Sequence, residues 1–198
     1  MRSSRASGLL VAGLVLLSGA FAPAWAGITK GNGELGFDFG VTSWDQDLVG
    51  HTGSMLKLRG GYCATKWFEI EGQFAYSAHF DEGALRGNGS TDRKLDQDQA
   101  MSQVFVSGVF NFPSKSGNII PYVLGGVGRT DVKFPNAHVD DTSSAWQAAV
   151  GSRFFYGDHD QVAFRIEAAF LFDDAFDQSN RHGQYALGFT WRLGRPRA

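Results

Sequence analysis

The chain has 198 residues, with 18 Lys and Arg against 20 Asp and Glu, and the resulting formal charge of -2 does not point to a nucleic-acid partner. Glycine (26) and phenylalanine (17) are abundant while proline (5) is scarce, a balance that suits many strands joined by turns. A single cysteine, Cys63, excludes an intramolecular disulfide.

Arg2 and Arg5 precede an apolar run from Leu9 to Leu17, and Ala24-Trp25-Ala26 follows it. This is the pattern of a secretory signal peptide over residues 1–26, cleaved before Gly27. The run is far short of the ~20 residues that a spanning helix needs. Residues 27–198 are then expected to form one domain.

From Gly33 to Trp44 apolar and polar residues alternate, with Leu35, Phe37, Phe39 and Val41 on one parity and Glu34, Gly36, Asp38 and Gly40 on the other. A period of two marks a strand with two unlike faces. After a polar stretch from Asp45 to Gly53, the alternation resumes on both sides of Cys63-Ala64-Thr65. Leu56, Leu58 and Tyr62 are answered by Phe68, Ile70, Phe74 and Tyr76, which predicts a hairpin. Folding it about Ala64 sets Lys57 opposite Glu71 and Arg59 opposite Glu69 on the polar face. The stretch from Ala78 to Gln99 is polar and is the longest loop expected.

A fourth strand follows from Met101 to Phe112, with Gln103, Ser107 and Asn111 polar. Pro113 to Asn118 is a turn. In the fifth, Ile119 to Thr130, placing Arg129 on the polar face puts Tyr122 and Leu124 on the apolar one. Asp131 to Ser143 is a second polar loop. Strand six, Ser144 to Phe155, sets Trp146, Val150 and Phe154 against Gln147, Gly151 and Arg153; strand seven sets Phe164, Ile166 and Phe170 against Arg165 and Glu167. Asp173 to His182 reads as a loop, and strand eight sets Leu187, Phe189, Trp191 and Leu193 against Gln184, Gly188 and Arg192.

The expected fold is therefore all-β: an eight-stranded antiparallel up-and-down transmembrane β-barrel, with connections alternately short and long as in barrels threaded through a membrane. A lipocalin-like soluble barrel would show the same alternation. It would not crowd Gly and Ala among charges on the polar parity, as here at Gly36, Gly40, Gly61, Ala149, Gly151, Ala169 and Gly188. That mixture fits a narrow packed lumen with lipid outside. The polar parity also balances its charges: Glu34, Asp38, Glu69, Glu71 and Glu167 face Lys57, Arg59, Arg153, Arg165 and Arg192. A buried lumen requires such a balance, because an unpaired charge there costs several kcal/mol. Closure brings Arg192 near Glu34.

Gly60-Gly61-Tyr62, Phe68-Glu69-Ile70-Glu71-Gly72, Ile120-Pro121-Tyr122-Val123-Leu124-Gly125-Gly126-Val127-Gly128 and Leu187-Gly188-Phe189-Thr190-Trp191-Arg192-Leu193 carry a resemblance to a known family. Through them the mature chain resembles the small outer-membrane β-barrels of the OmpA-like and OmpX-like kind. Members of that family usually end on an aromatic residue that the barrel-assembly machinery reads, whereas five residues follow Leu193 here. The resemblance implies a monomer in the cell outer membrane, in contact with outer-membrane lipid and lipopolysaccharide, without cofactor or catalytic residues. The role implied is structural or surface-interacting, through outer loops in which Asp45, Asp81, Asp96, Asp140, Asp174 and further acids outnumber Arg86, Arg93, Lys94, Lys133 and Arg181.

Two other functions fit the same frame. A small or gated pore would run through rearranged Lys57-Glu71 and Arg59-Glu69 pairs, although eight strands leave a lumen that side chains fill. A lipid A-modifying enzyme would use one of the loop histidines, His51, His79, His138 or His182, with Ser77, Ser143, Ser144 or Ser179 and Asp140 or Asp177. The same histidines supply no metal-ligand spacing on one element.

Overall fold

The computed structural model describes residue 28 and residues 30–43, 52–79, 99–112, 118–134, 139–156, 161–175 and 179–193. The predicted signal peptide, Trp44, His51, His138, and of the loop charges Asp45, Asp81, Arg86, Arg93, Lys94, Asp96 and Asp177 lie outside the described residues. Eight strands follow in order: β1 (Gly33–Ser43), β2 (Thr52–Cys63), β3 (Phe68–His79), β4 (Gln99–Asn111), β5 (Ile119–Phe134), β6 (Val139–Tyr156), β7 (Val162–Asp173) and β8 (Asn180–Leu193). Each pairs antiparallel with the next, and β8 pairs with β1 to close a barrel.

The ladder fixes the geometry. Stepping across partners from Gly33 leads through Tyr62, Ile70, Gly108, Gly125, Ala148, Phe170 and Gly183 to Ser43, ten residues further along β1. Strands with this stagger tilt by roughly 35–45° to the barrel axis, and a path perpendicular to them climbs toward the outer end. The bulky parity faces outward, as Leu35, Phe39, Leu58, Ile70, Val106, Val127, Phe170 and Leu187 are all exposed. Aromatics mark both rims of this apolar wall: Tyr62, Trp67, Tyr156 and Trp191 at the inner end, Tyr76, Trp146 and Phe172 at the outer. An apolar wall around a polar lumen is what a lipid solvent selects.

Four local expectations are corrected. First, β5 has the opposite phase: Tyr122 and Leu124 are buried in the lumen, and Arg129 is exposed on the outer wall. Gly126 and Gly128 share the inward parity of Tyr122, and a Cβ on Gly128 would meet the carbonyl of Val104. Only a bare backbone fits there. Second, the β2–β3 turn is longer than predicted. Thr65 Oγ1 accepts from the backbone N–H groups of Trp67 (3.1 Å) and Phe68 (3.0 Å), closing a loop over residues 64–67. Cys63 therefore pairs with Glu69, and Lys57 and Arg59 pair with Ala75 and Gln73, not with the two glutamates.

Third, residues 131–143 are largely not a loop, because β5 and β6 continue past the apolar belt with Asp131 opposite Thr142 and Lys133 opposite Asp140. Thr130 and Ser143 join hydroxyls at 2.9 Å where this extension begins. Fourth, Thr52, Gly53, Asp173 and residues 180–182 belong to strands. At the inner end Ile28 packs on Ile120, Phe155 and Ala163. The segment after it is tied to β2 by Gly31 N–H to Cys63 O (2.8 Å) and Cys63 N–H to Asn32 O (2.9 Å).

Candidate functional site

Alternation sends every second side chain of each strand into one narrow lumen, which fills in layers. At the inner end Glu34, Asp38, Lys57, Arg59, Glu69, Glu71, Arg153, Arg165 and Glu167 are all buried. Arg192 closes this end, its guanidinium over the Phe155 ring at 4.5 Å and its Nε 3.7 Å from Oε1 of Glu34, its direct partner across the β8–β1 seam. Arg153 reaches Glu69 at 2.8 Å, Glu34 at 3.4 Å and Glu71 at 3.8 Å. Arg165 lies 2.6 Å from both Glu71 and Glu167. Glu167 in turn takes Lys57 at 2.9 Å and Arg59 at 3.1 Å, and Arg59 also grips Asp38.

These ten residues make one continuous chain of contacts, with five charges of each sign. Low dielectric strengthens each attraction, and mutual neutralisation offsets the desolvation of each charge. Lys57 and Arg59 meet Glu167 across the lumen and not the glutamates of their own hairpin.

Tyr122, assigned to the outer face by sequence reasoning, joins the two halves of this chain. Its hydroxyl donates to Glu167 Oε2 (2.7 Å) and accepts from Arg165 Nε (2.5 Å). Its ring lies under the guanidinium carbons of Arg165 (4.4 Å) and Arg153 (5.2 Å). The inward parity of Gly126 and Gly128 was the signal in the sequence that pointed to this phase.

Above the ions sits a neutral polar layer: Gln147 donates to Gln73 (2.8 Å) and Ser107 (2.9 Å), and Gln184 to Gln103 (3.0 Å). Higher still, Met101, Phe105, Val132, Ala145, Leu171 and Ala175 form an apolar cluster. Beside it, Asp173 ties down the start of the last outer connection. It accepts from Asn180 Nδ2 (2.9 Å) and the Ala175 N–H (3.2 Å), and lies 3.2 Å from His182 Nε2. Of the serines considered with that histidine, Ser77 is bonded to Thr42 and Ser143 to Thr130.

Glu34, Cys63 and Glu69 converge within 4.8 Å at the inner end, a donor set that could hold a metal ion. Both carboxylates already face arginines, Arg153 and Arg192, so a divalent cation would leave this buried spot with excess positive charge. Cys63 is fully buried. In the folded barrel its thiol is expected to resist maleimide–polyethylene glycol, whereas the urea-unfolded chain is expected to be labelled completely. Rapid labelling of the folded form would show that the inner end opens.

The profile of the outer membrane protein beta-barrel domain matches residues 12–192. Among curated protein sequences, none matches the chain. Neisserial surface protein A superposes with a TM-score of 0.62 at 12% identity, covering 82% of this chain and 99% of the other. OprG from Pseudomonas aeruginosa gives 0.58 at 14% identity, over 85% and 99%. Ail, the attachment invasion locus protein of Yersinia pestis, in complex with the heparin analogue sucrose octasulfate, gives 0.54 at 17% identity, over 83% and 100%. At these identities the likeness is one of fold.

Proposed function

Because the chain belongs to the outer membrane beta-barrel family and so resides in the outer membrane, we propose that it is a non-enzymatic surface-interaction protein whose lumen network is a structural brace. The contact surface in this reading is the acidic outer end. The observation that carries it is the β5–β6 hairpin, which continues as paired strand beyond the apolar wall and raises Asp131, Asp140 and Asp141 on a backbone already ordered. A preordered surface loses little entropy on binding, and its charge favours cationic partners. The filled lumen supports bracing over transport. The burial of His182 against Asp173, with Ser77 and Ser143 engaged elsewhere, supports a non-catalytic outer end.

Ail was solved with a polyanion; the acidic outer end here suits the opposite charge. Bacterial cells displaying the protein are expected to bind immobilised oligolysine at low salt and to show no retention of sucrose octasulfate. Asp140→Asn with Asp141→Asn and Asp174→Asn is expected to weaken oligolysine binding severalfold, the loss shrinking as salt rises. Unchanged oligolysine binding by this triple variant, or retention of the octasulfate, would reject the acidic surface as the point of contact.

A further inference from the structure

The inner end of the lumen meets chain that precedes the first strand. β1 begins there at Gly33, and one residue earlier the pairing with β2 still holds, because Asn32 O accepts from the Cys63 N–H at 2.9 Å. At Gly31 the course changes. Its φ is +87°, a left-handed conformation, and its N–H turns back to Cys63 O at 2.8 Å. A Cβ on Gly31 would meet nothing within 4 Å, so glycine stands here for its backbone freedom and not for want of space.

The turn carries the chain away from β2. Ile28 packs on Ile120, Phe155 and Ala163, the innermost lumen-facing side chains of β5, β6 and β7, and β6 stands opposite β2 in the closed order. Chain tied to Cys63 on one side of the mouth is thus seated in an apolar socket on the other. Phe155 carries Ile28 and also the Arg192 guanidinium, which in turn meets Glu34. Cys63, Glu34, Arg192, Phe155 and Ile28 together make a floor, and Cys63, Ile120 and Ala163 are 0% exposed. Directly behind it stand Glu69 and Arg153, 2.8 Å apart, at the start of the ionic network. Water entering from this end would raise the local dielectric and weaken every pair.

We propose that the chain from Ile28 to Asn32 is a strap that closes the inner mouth of the barrel, with Ile28 as its latch and Gly31 as its hinge, and that it keeps solutes on that side from Cys63 and the ions behind it. The latch is one half-buried side chain, so the strap opens at far lower cost than the barrel unfolds. The inner end therefore has a door, independent of what the outer surface binds.

The test uses the full mature chain refolded in micelles and measures how fast a small, uncharged, water-soluble methanethiosulfonate modifies Cys63, with barrel closure read by gel shift and urea midpoint for every variant. The wild type is expected to react slowly. Ile28→Ser, which empties the socket, is expected to raise the rate about tenfold, and Gly31→Val, which disfavours the hinge conformation, by a similar factor. Ile28→Val keeps most of the protection. Gly31→Asn keeps more of it than Gly31→Val, because Asn visits the left-handed region more readily. A second reporter separates opening from general loosening: Gln103→Cys in a Cys63→Ala chain replaces a buried residue of the outer half of the lumen, and adding Ile28→Ser is expected to leave its slow rate unchanged. Cys63 reacting as slowly as in the wild type when Ile28→Ser and Gly31→Val are combined in a folded barrel overturns the strap. Equal acceleration of the Gln103→Cys reporter shows that the whole barrel has loosened, and overturns it too.

Discussion

Replacing Arg165 by Gln is expected to destabilise the folded barrel by about 3–5 kcal/mol, the cost of stranding a buried charge. Arg165 is 1% exposed, places its two terminal nitrogens 2.6 Å from Glu71 and Glu167, and stacks on Tyr122. Without it, Glu167 keeps Lys57 and Arg59, but Glu71 retains as counter-ion only Arg153 at 3.8 Å, beside the neutral Gln73 amide at 2.7 Å. Five acids then face four bases, and one carboxylate is left uncompensated. The urea midpoint of protein refolded in lipid vesicles measures the loss. Removing the stranded acid as well, in Arg165→Gln with Glu71→Gln, is expected to restore part of it, because the pair shares one interaction. A single variant as stable as the wild type would mean that the network is not what braces the lumen.

Gly188→Val is expected to abolish the compact, heat-modifiable band altogether. Gly188 sits on β8 opposite Asp38, where the closing seam meets β1. A Cβ there would run into the Asp38 carboxylate and the carbonyl of Phe37, and across the same seam a Cβ on Gly40 would run into the carbonyl of Tyr185. A backbone carbonyl in a ladder cannot give way without breaking the ladder, so overpacking here prevents closure instead of merely straining it. Gly183→Ala is the matched control on the same seam, since the nearest atom to its new Cβ is Ser43 Cβ at 3.9 Å. Refolding yield on unboiled gels separates the two. A Gly188→Val barrel that closes with wild-type yield would show that the seam can open enough to admit a side chain.

The eight strands and the direction of their faces were legible in the sequence because lipid and lumen impose opposite demands on alternate residues. Each misreading has its own physical cause. Tyr122 is amphipathic, so its ring suggested the wall while its hydroxyl belongs among Arg165 and Glu167. The inward pair Gly126 and Gly128 would have decided the matter. The hairpin register slipped because the Thr65 hydroxyl stabilises a longer turn than residue type alone suggests. The outer parts of β5 and β6 looked like loop because strand above the membrane no longer needs an apolar face, as Asp131, Lys133 and Asp140 show. The partners of Lys57 and Arg59 could not be read at all. They lie across the lumen, where curvature and not strand adjacency decides which side chains meet.

That cross-lumen pairing also orders the assembly in time. Lys57 and Glu167 are separated by 110 residues, Arg59 and Glu167 by 108, and Arg165 and Glu71 by 94. Contacts of such separation form only after the entropy of closing very long loops has been overcome, so they cannot nucleate folding and instead reward its completion. Until β6 and β7 bring Arg153, Arg165 and Glu167, the acids and bases of β1, β2 and β3 have only the Arg59–Asp38 pair and must otherwise stay hydrated. Expulsion of water from the lumen is therefore the closing event of folding, and a half-built barrel is a wet one.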